Sequence, residues 1–519
     1  MTAIPARIQR RLSLDLEDLR DRSGALTYAQ ACNRNAEDLP DRIVVVDRRN
    51  RLDWAVVKLR SDRLALGLME CGVMRPDVDM IHLPNGAEQF LIRLACEKAG
   101  IRVVLTSTWY RESELISIIE QTRPRIAFIA AGFPSSEWGG DWAETYDEFE
   151  QGCPSGPADG LLDRTRFRFD ERIYLATTSG STSAPKITDV MFGNRIRLSL
   201  MHAAGAGLGI GGTLAALPPI TSGTSDTLVH HASPYFAAKI VHEPRFDARA
   251  TMEFLVAEGV QVVTIVPTML ARMLATGAID DLHDAPLNCF AVYASALSYE
   301  LAVAIEQRGG CATIRCYGTM DYGGISMSTL DDTMDRRIKS VGRPFAANDV
   351  KIIDADGNFL PAGVEGEVAI RPGRYAMGGY YRNPKLTAEA WSGEYYRLGD
   401  LVVMDGDGYI TLVGRARELI IRGGQNIVPS EVEELITGHE AVVDVAVIGQ
   451  SDDEMGKRVC ACVIMADGAA LSLDDLRAHF DRLGVARYKC PERIVILDEF
   501  PLTLSGIKAD RRALTRLVS

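Results

Sequence analysis

The 519-residue chain lacks an excess of positive charge, a metal-type cysteine spacing, an apolar leader and any uninterrupted membrane-length run. Its 57 Lys and Arg stand against 70 Asp and Glu, for a formal net charge of −13. That balance argues against a nucleic-acid binder and for a soluble acidic enzyme, in which any anionic ligand is held by local donors rather than by a global field. The ten cysteines are scattered with no CxxC pair; the one-residue spacing of Cys460 and Cys462 is not a usual zinc knuckle. Reduced thiols of a cytoplasmic protein are the simplest account. Arg7, Arg10 and Arg11 are not followed by an apolar segment, so no secretory signal is expected. Residues 201–220 carry five glycines, two prolines and His202, and read as a buried helix end followed by a strand rather than as a membrane span. Repeats and low-complexity tracts are missing, and so is the P-loop pattern G-x-x-x-x-G-K-[ST].

What is present is ordinary globular composition, 47% hydrophobic and 24% charged. The length is too great for one core, so two or more domains are expected. Short apolar runs at residues 43–46, 80–83, 102–105, 126–130, 260–266 and 289–293 read as buried strands. Helical patterns at residues 54–68 and 87–99 alternate with them, which predicts an α/β protein on largely parallel sheets. After about residue 350 the strands become short and hairpin-connected, with turns at Asp354 to Asn358 and Asp405 to Gly408. These predict a small β-barrel-like subdomain over about 345–414. From 415 to 519 a final unit of about one hundred residues has strand and helix patterns of its own. Within it Pro429 opens a helix whose Glu431, Glu433 and Glu434 favour the positive end of the dipole.

The rest of the chain is organised around residues 177–186: Thr177, Thr178, Ser179, Gly180, Ser181, Thr182, Ser183, Ala184, Pro185 and Lys186. Backbone N–H groups, several hydroxyl donors and one ammonium suit a polyphosphate. A flexible Ser/Thr linker is the ordinary alternative, although a linker would not normally sit between the apolar Tyr174, Leu175 and Ala176 and a Pro-Lys stop. Four later segments join it. Tyr317-Gly318-Thr319-Met320-Asp321 follows an apolar run, which puts a ring and a carboxylate at a strand end, where open α/β sheets gather ligands. Asp400, in Tyr396-Arg397-Leu398-Gly399-Asp400, could accept from two sugar hydroxyls. The others are Gly414 to Glu418 with Arg422 to Asn426, and residues 501–514 with Gly506 and Lys508. Singly, each reads equally well as a core Tyr, a turn Asp, a solvated charge run or a surface Lys.

Together and in this order, with Leu83-Pro84-Asn85, Val341-Gly342-Arg343-Pro344 and Gly366-Glu367-Val368, they resemble the adenylate-forming superfamily over nearly the whole chain. That superfamily comprises acyl-CoA synthetases, peptide-synthetase adenylation domains and luciferases. The resemblance implies an N-terminal domain (1–414) of layered α/β sheets and a mobile α+β lid (415–519). It also implies two half-reactions: a carboxylate attacks the α-phosphate of ATP, giving acyl-AMP and pyrophosphate, and a thiol then displaces AMP. By the same resemblance Thr178, Ser179, Gly180, Ser181, Thr182 and Lys186 would hold the phosphates. Tyr317, Gly318 and Thr319 would face adenine, Asp321 would help to hold Mg²⁺, and Asp400 with Arg415 would take the ribose. Arg417 falls at the hinge, Gly423 and Gly424 would line the thiol's approach, and Lys508 would reach the carboxylate and α-phosphate.

Coenzyme A is the expected acceptor, giving an acyl-CoA synthetase; a separate carrier protein is the alternative, since no carrier domain follows before Ser519. A luciferase-like oxidase has no feature in its favour. A half-catalytic or non-catalytic relative is kept open by four departures: Ser183 for Gly, Met320 for Thr, Asp321 for Glu, and one residue, Ile507, inserted between Ser505-Gly506 and Lys508. An extra residue shifts an extended side chain about 3.3 Å and turns it to the other face; a bulge at Gly506 would absorb it. Thr221, Ser222 and Gly223, facing Ala294, Ser295 and Ala296, replace bulkier groups and predict room for a bulky, largely apolar acid. A homodimer is compatible with the sequence.

Overall fold

The computed structural model describes all residues except 1–3, 22–25, 111, 131–142, 156–159, 161–166, 179–184, 284, 294–296, 321, 347, 372–377, 416–417, 423–424, 453–454, 467, 484, 504–508 and 519. Side chains at 14–21, 143–145, 178, 224, 421 and 426 are also outside the description.

Two sheets form the body of the large lobe. In one, the order is Arg343–Pro344, Gly323–Met327, Ala312–Thr319, Cys289–Val292, Val262–Ile265, Thr213–Ala216, Lys239–His242, Ile43–Val46 and Arg51–Asp53. Its six central strands are parallel. The other sheet runs Ala143–Thr145, Ala127–Ile129, Val78–His82, Arg102–Leu105, Arg172–Thr178 and Lys186–Met191, parallel except for the last strand. Strands such as Val78–His82 and Lys239–His242 are buried at every position, as parallel strands covered on both faces must be.

The helix Ala87–Ala99 packs within the same core, with eleven of its thirteen residues buried. Gly100 ends it in the left-handed conformation (φ 73°), where a side chain would be strained. Burial leaves its two buried cations no water, and both are paired: Arg93 with Asp226 at 2.5 Å and Lys98 with Asp62 at 2.6 Å.

The later strands make two smaller antiparallel units. Asp349–Ile353, Glu365–Arg371, Tyr395–Met404, Trp391–Ser392 and Ile410–Arg415 form the first. Its turns are built by aspartates that accept backbone N–H bonds two and four residues on, Asp354 from Asp356 and Asn358, Asp405 from Asp407 and Tyr409. The second unit pairs Gln425–Ile427, Ile420–Arg422, Gly456–Met465 and Val442–Asp452, with Arg493–Ile496 parallel to Gly456–Met465. Helices Pro429–Thr437 and Leu473–Arg482 cover its own apolar core of Ile427, Val432, Val447, Leu476 and Phe480. Among the described residues, no helix is long and apolar enough to cross a membrane.

Candidate active site

The parallel strands of the large sheet end on one side. There Leu217 to Gly223, Val292 with Tyr293, and Tyr317 to Thr319 emerge together and line a cleft of about 2090 Å³, walled on the far side by the small lobe. That volume exceeds what a single small ligand fills and suits several substrates held at once.

Asp400 and Arg415 sit directly opposite each other in adjacent antiparallel strands. Arg415 Nε donates to Asp400 Oδ1 at 2.7 Å, and the Tyr317 hydroxyl donates to Oδ2, also at 2.7 Å. A carboxylate offers about four lone-pair sites, so Asp400 retains acceptor capacity for two further hydroxyls. Beside it, Gly318 is required by space: a Cβ there would lie 2.4 Å from the Gly323 carbonyl oxygen. Thr319 is turned to the following hairpin, its Oγ1 accepting from Tyr322 N at 3.2 Å.

At the hydroxyl-rich loop, Thr178 pairs in register with Lys186, so the antiparallel hairpin pins both ends of the loop. Lys186 Nζ lies 5.4 Å from the Tyr380 ring centroid and makes no hydrogen bond or ion pair among the described residues. It lines the cleft. Just before the loop, Thr177 Oγ1 and the buried Tyr110 hydroxyl are 2.6 Å apart.

Thr221, Ser222 and Gly223 line the cleft. Asn85 fixes this segment by donating to the Pro218 carbonyl at 2.9 Å and accepting from Ile220 N at 2.6 Å. The room at Gly223 is partly taken by Met320, whose sulfur accepts from Gly223 N at 2.9 Å and would stand 2.8 Å from a Cβ. The wall is thus narrower than glycine alone implies.

Behind it lies a buried charge network. Asp226 is paired with Arg93 (2.5 Å), Arg195 (3.3 Å) and His231 (3.4 Å), and the Tyr174 hydroxyl donates to it. Both guanidiniums lie against the Tyr174 ring, at 4.8 and 5.6 Å. Burial alone would raise the Asp226 carboxyl, but Arg93, His231 and Arg195 overcome it and hold the group well below the usual range. Arg195 also donates to Thr227 Oγ1, so the network is tied to the pocket wall.

On the small lobe, Leu502 and Ala509 bridge antiparallel, and Leu502, Thr503, Ala509, Asp510 and Arg511 line the cleft. Arg511 donates to both oxygens of Glu433 at 2.7 and 2.8 Å, joining the last helix to Pro429–Thr437. Lys508, Asp321, Ser179, Gly180, Ser181, Thr182, Arg417, Gly423, Gly424, Ala294 and Ser295 lie outside the described residues. Asn85, Arg93, Arg195, Asp226, His202 and Tyr293 were not expected as site residues.

The fold, the cleft and its carboxylate–arginine pair agree with an adenylate-forming ligase. The family model of the AMP-binding enzymes matches residues 32–381, and that of the AMP-binding enzyme C-terminal domain matches 431–506. The chain belongs to the AMP-binding enzyme family. It is 30% identical to a salicylyl-CoA synthase / salicylate adenylyltransferase of Streptomyces sp, over 93% of this chain and 92% of the relative. Identity to a 2-hydroxy-7-methoxy-5-methyl-1-naphthoate–CoA ligase of Streptomyces carzinostaticus is 27%, covering 92% and 91%. The crystal structure of an anthranilate CoA ligase in complex with anthranoyl-AMP superposes with a TM-score of 0.84 at 20% identity, covering 95% and 97%. The protein is an AMP-forming acid–thiol ligase.

Proposed function

We propose that the chain activates an aromatic carboxylic acid with ATP and transfers the acyl group to coenzyme A. The observation that carries this reading is Asp400, oriented by Tyr317 and Arg415 in the cleft with acceptor capacity to spare for ribose hydroxyls. The aromatic class is supported by small or apolar walls at Thr221, Ser222, Gly223 and Met320. The two relatives named for salicylate and a hydroxynaphthoate agree with it.

In the first half-reaction a carboxylate oxygen attacks the α-phosphorus and the bond to the bridging oxygen breaks, releasing pyrophosphate. Lys186 and the loop donors would hold the β and γ phosphates, and Lys508 would reach the attacking carboxylate and the α-phosphate. Such in-line displacement needs positioning and charge neutralisation rather than covalent help. Among the described residues no group of three His, Cys, Asp or Glu could hold a metal by itself. Mg²⁺ commonly takes one or two carboxylates with substrate phosphates and water, so Asp321 with the nucleotide's phosphates would hold it. When bound it neutralises phosphate charge.

In the second half-reaction the thiol sulfur attacks the acyl carbon and the carbon–oxygen bond to AMP breaks. One cleft must meet Lys508 first and the thiol later, so the unit after about residue 415 would turn on Arg417 and bring Gly423 and Gly424 to line the thiol's path. The test is acid-dependent pyrophosphate release, trapped with hydroxylamine, followed by thioester and AMP formation when CoA is added. Release without CoA thioester would transfer the acceptor role to a carrier-protein thiol. No release with any acid would leave the half-catalytic reading.

A further inference from the structure

The deep wall of the cleft carries two polar atoms that neither half-reaction uses. His202 projects from the helix Phe192–Gly205 and Tyr293 stands just beyond the strand Cys289–Val292. Both line the cleft, at 2% and 6% exposure, and their rings stack with centroids 6.2 Å apart. Phe345 closes one side, 4.6 Å from the His202 ring.

His202 Nδ1 lies 2.7 Å from the Leu198 carbonyl oxygen, which can only accept, so Nδ1 carries the proton and Nε2 presents a lone pair. Nε2 has no hydrogen-bond partner among the described residues. Burial, with Arg195 adding to it, pushes His202 down to about 4, which keeps the ring neutral. Gly324 lets the backbone pack close to this edge of the imidazole: a Cβ there would lie 2.4 Å from Cε1 and 3.1 Å from Nε2. The Tyr293 hydroxyl is buried and meets no hydrogen-bond acceptor of proper geometry. Among the described residues it faces the thiol of Cys316, a weak partner. A donor and an acceptor are therefore carried by two neighbouring stacked rings on one wall of the cleft, where unsatisfied polar groups are disfavoured.

We propose that His202 and Tyr293 form the specificity-determining end of the acid pocket and select an aromatic acid whose ring carries a hydroxyl group. A hydroxyl donates to Nε2 and accepts from the tyrosine at once. A methyl or hydrogen satisfies neither atom, and an ammonium finds no carboxylate beside these two rings among the described residues. The inference rests on the cleft being the acid site of the ligase.

The test uses matched pairs, benzoate and naphthoate against their ring-hydroxylated isomers, with pyrophosphate release giving kcat/KM for wild type and Tyr293→Phe. Acid binding by calorimetry and the melting temperature are measured alongside. Wild type should prefer the best hydroxylated isomer by about tenfold or more, since a site built to bond a hydroxyl discriminates against its absence. Tyr293→Phe should lose most of that preference by weakening the hydroxylated acid alone, while its melting temperature holds or rises because an unpaired hydroxyl is removed. His202→Phe should erode the same preference.

Equal effects on both members of a pair, or a drop in melting temperature with no change in preference, would overturn the proposal and leave the ligase reading intact. Silence of the whole panel in both turnover and binding would overturn the aromatic-acid reading with it.

Discussion

The two ends of the cleft are built differently. At the proposed nucleotide end, Asp400 and Arg415 face each other through the register of neighbouring antiparallel strands, and Tyr317 reaches them from the end of a third. At the acid end, polar groups from residues 85, 93, 195, 202, 226 and 293 are brought together from separate strands and helices and are almost wholly buried. A sheet register positions side chains whatever the substrate is. A buried polar network is worth much when satisfied and is disruptive when it is not, so it can define one pocket shape and reject others. On the proposed function, the part of the chemistry common to all acids would rest on the first kind of support, and the selection of one acid on the second.

If that contrast is right, breaking the buried network should have the largest effect of any single change. Asp226→Ala leaves Arg93 and Arg195 uncompensated in the core, and stability should fall by about 3–5 kcal/mol. Denaturant unfolding would read this directly. A loss under about 1 kcal/mol, within the range of an ordinary surface change, would mean that the network is solvated or replaceable. Next comes the lysine on the lid: Lys508→Ala should slow acyl-adenylate formation by roughly 10²–10³. Thioester formation from supplied adenylate should suffer far less. Comparable losses in both steps would contradict a lid that exchanges Lys508 for the thiol path.

The same contrast explains what could be read from sequence. Local pattern located the helix Ala87–Ala99 and the strand Arg102–Leu105 at their observed limits, because amphipathic or apolar runs ended at Gly100 and at polar turns. The Tyr317, Asp400 and Arg415 cluster was also legible, since each lies in a short motif and the sheet only has to place the motifs side by side. The acid end was only half legible. Thr221, Ser222 and Gly223 were recognised as pocket wall, yet the sulfur that narrows it belongs to Met320, about a hundred residues on. In the sequence His202 reads only as an interruption in an apolar run, and the tautomer that leaves Nε2 as the acceptor depends on the Leu198 carbonyl. No spacing rule links residues that meet only across a core.

A smaller effect is expected at the nucleotide end. Tyr317→Phe removes one bond to Asp400 but leaves Arg415 holding the other oxygen. The loss should be about 1 kcal/mol, roughly fivefold in KM for ATP, with KM for the acid unchanged. A change confined to the acid would place Tyr317 in the wrong half of the cleft.

The smallest expected effect is a flat line, and it bears most directly on how the acid end works. An ordinary histidine, with a pKa of about 6.5, would be about nine-tenths protonated at pH 5.5. His202 is depressed to about 4, chiefly by burial, with the nearby Arg195 adding to it and the bond to the Leu198 carbonyl opposing. A lowered pKa means that the neutral ring persists as pH falls until the pH nears 4, so Nε2 remains an acceptor across the working range. The preference of the wild-type enzyme for a ring-hydroxylated acid over its parent should therefore stay constant, within about twofold, from pH 8 to pH 5.5. Taking the ratio of the two acids cancels pH effects on the common chemistry. A roughly tenfold fall in that ratio over the interval would mean that the ring titrates near its ordinary value, in water rather than behind Tyr293 and Phe345.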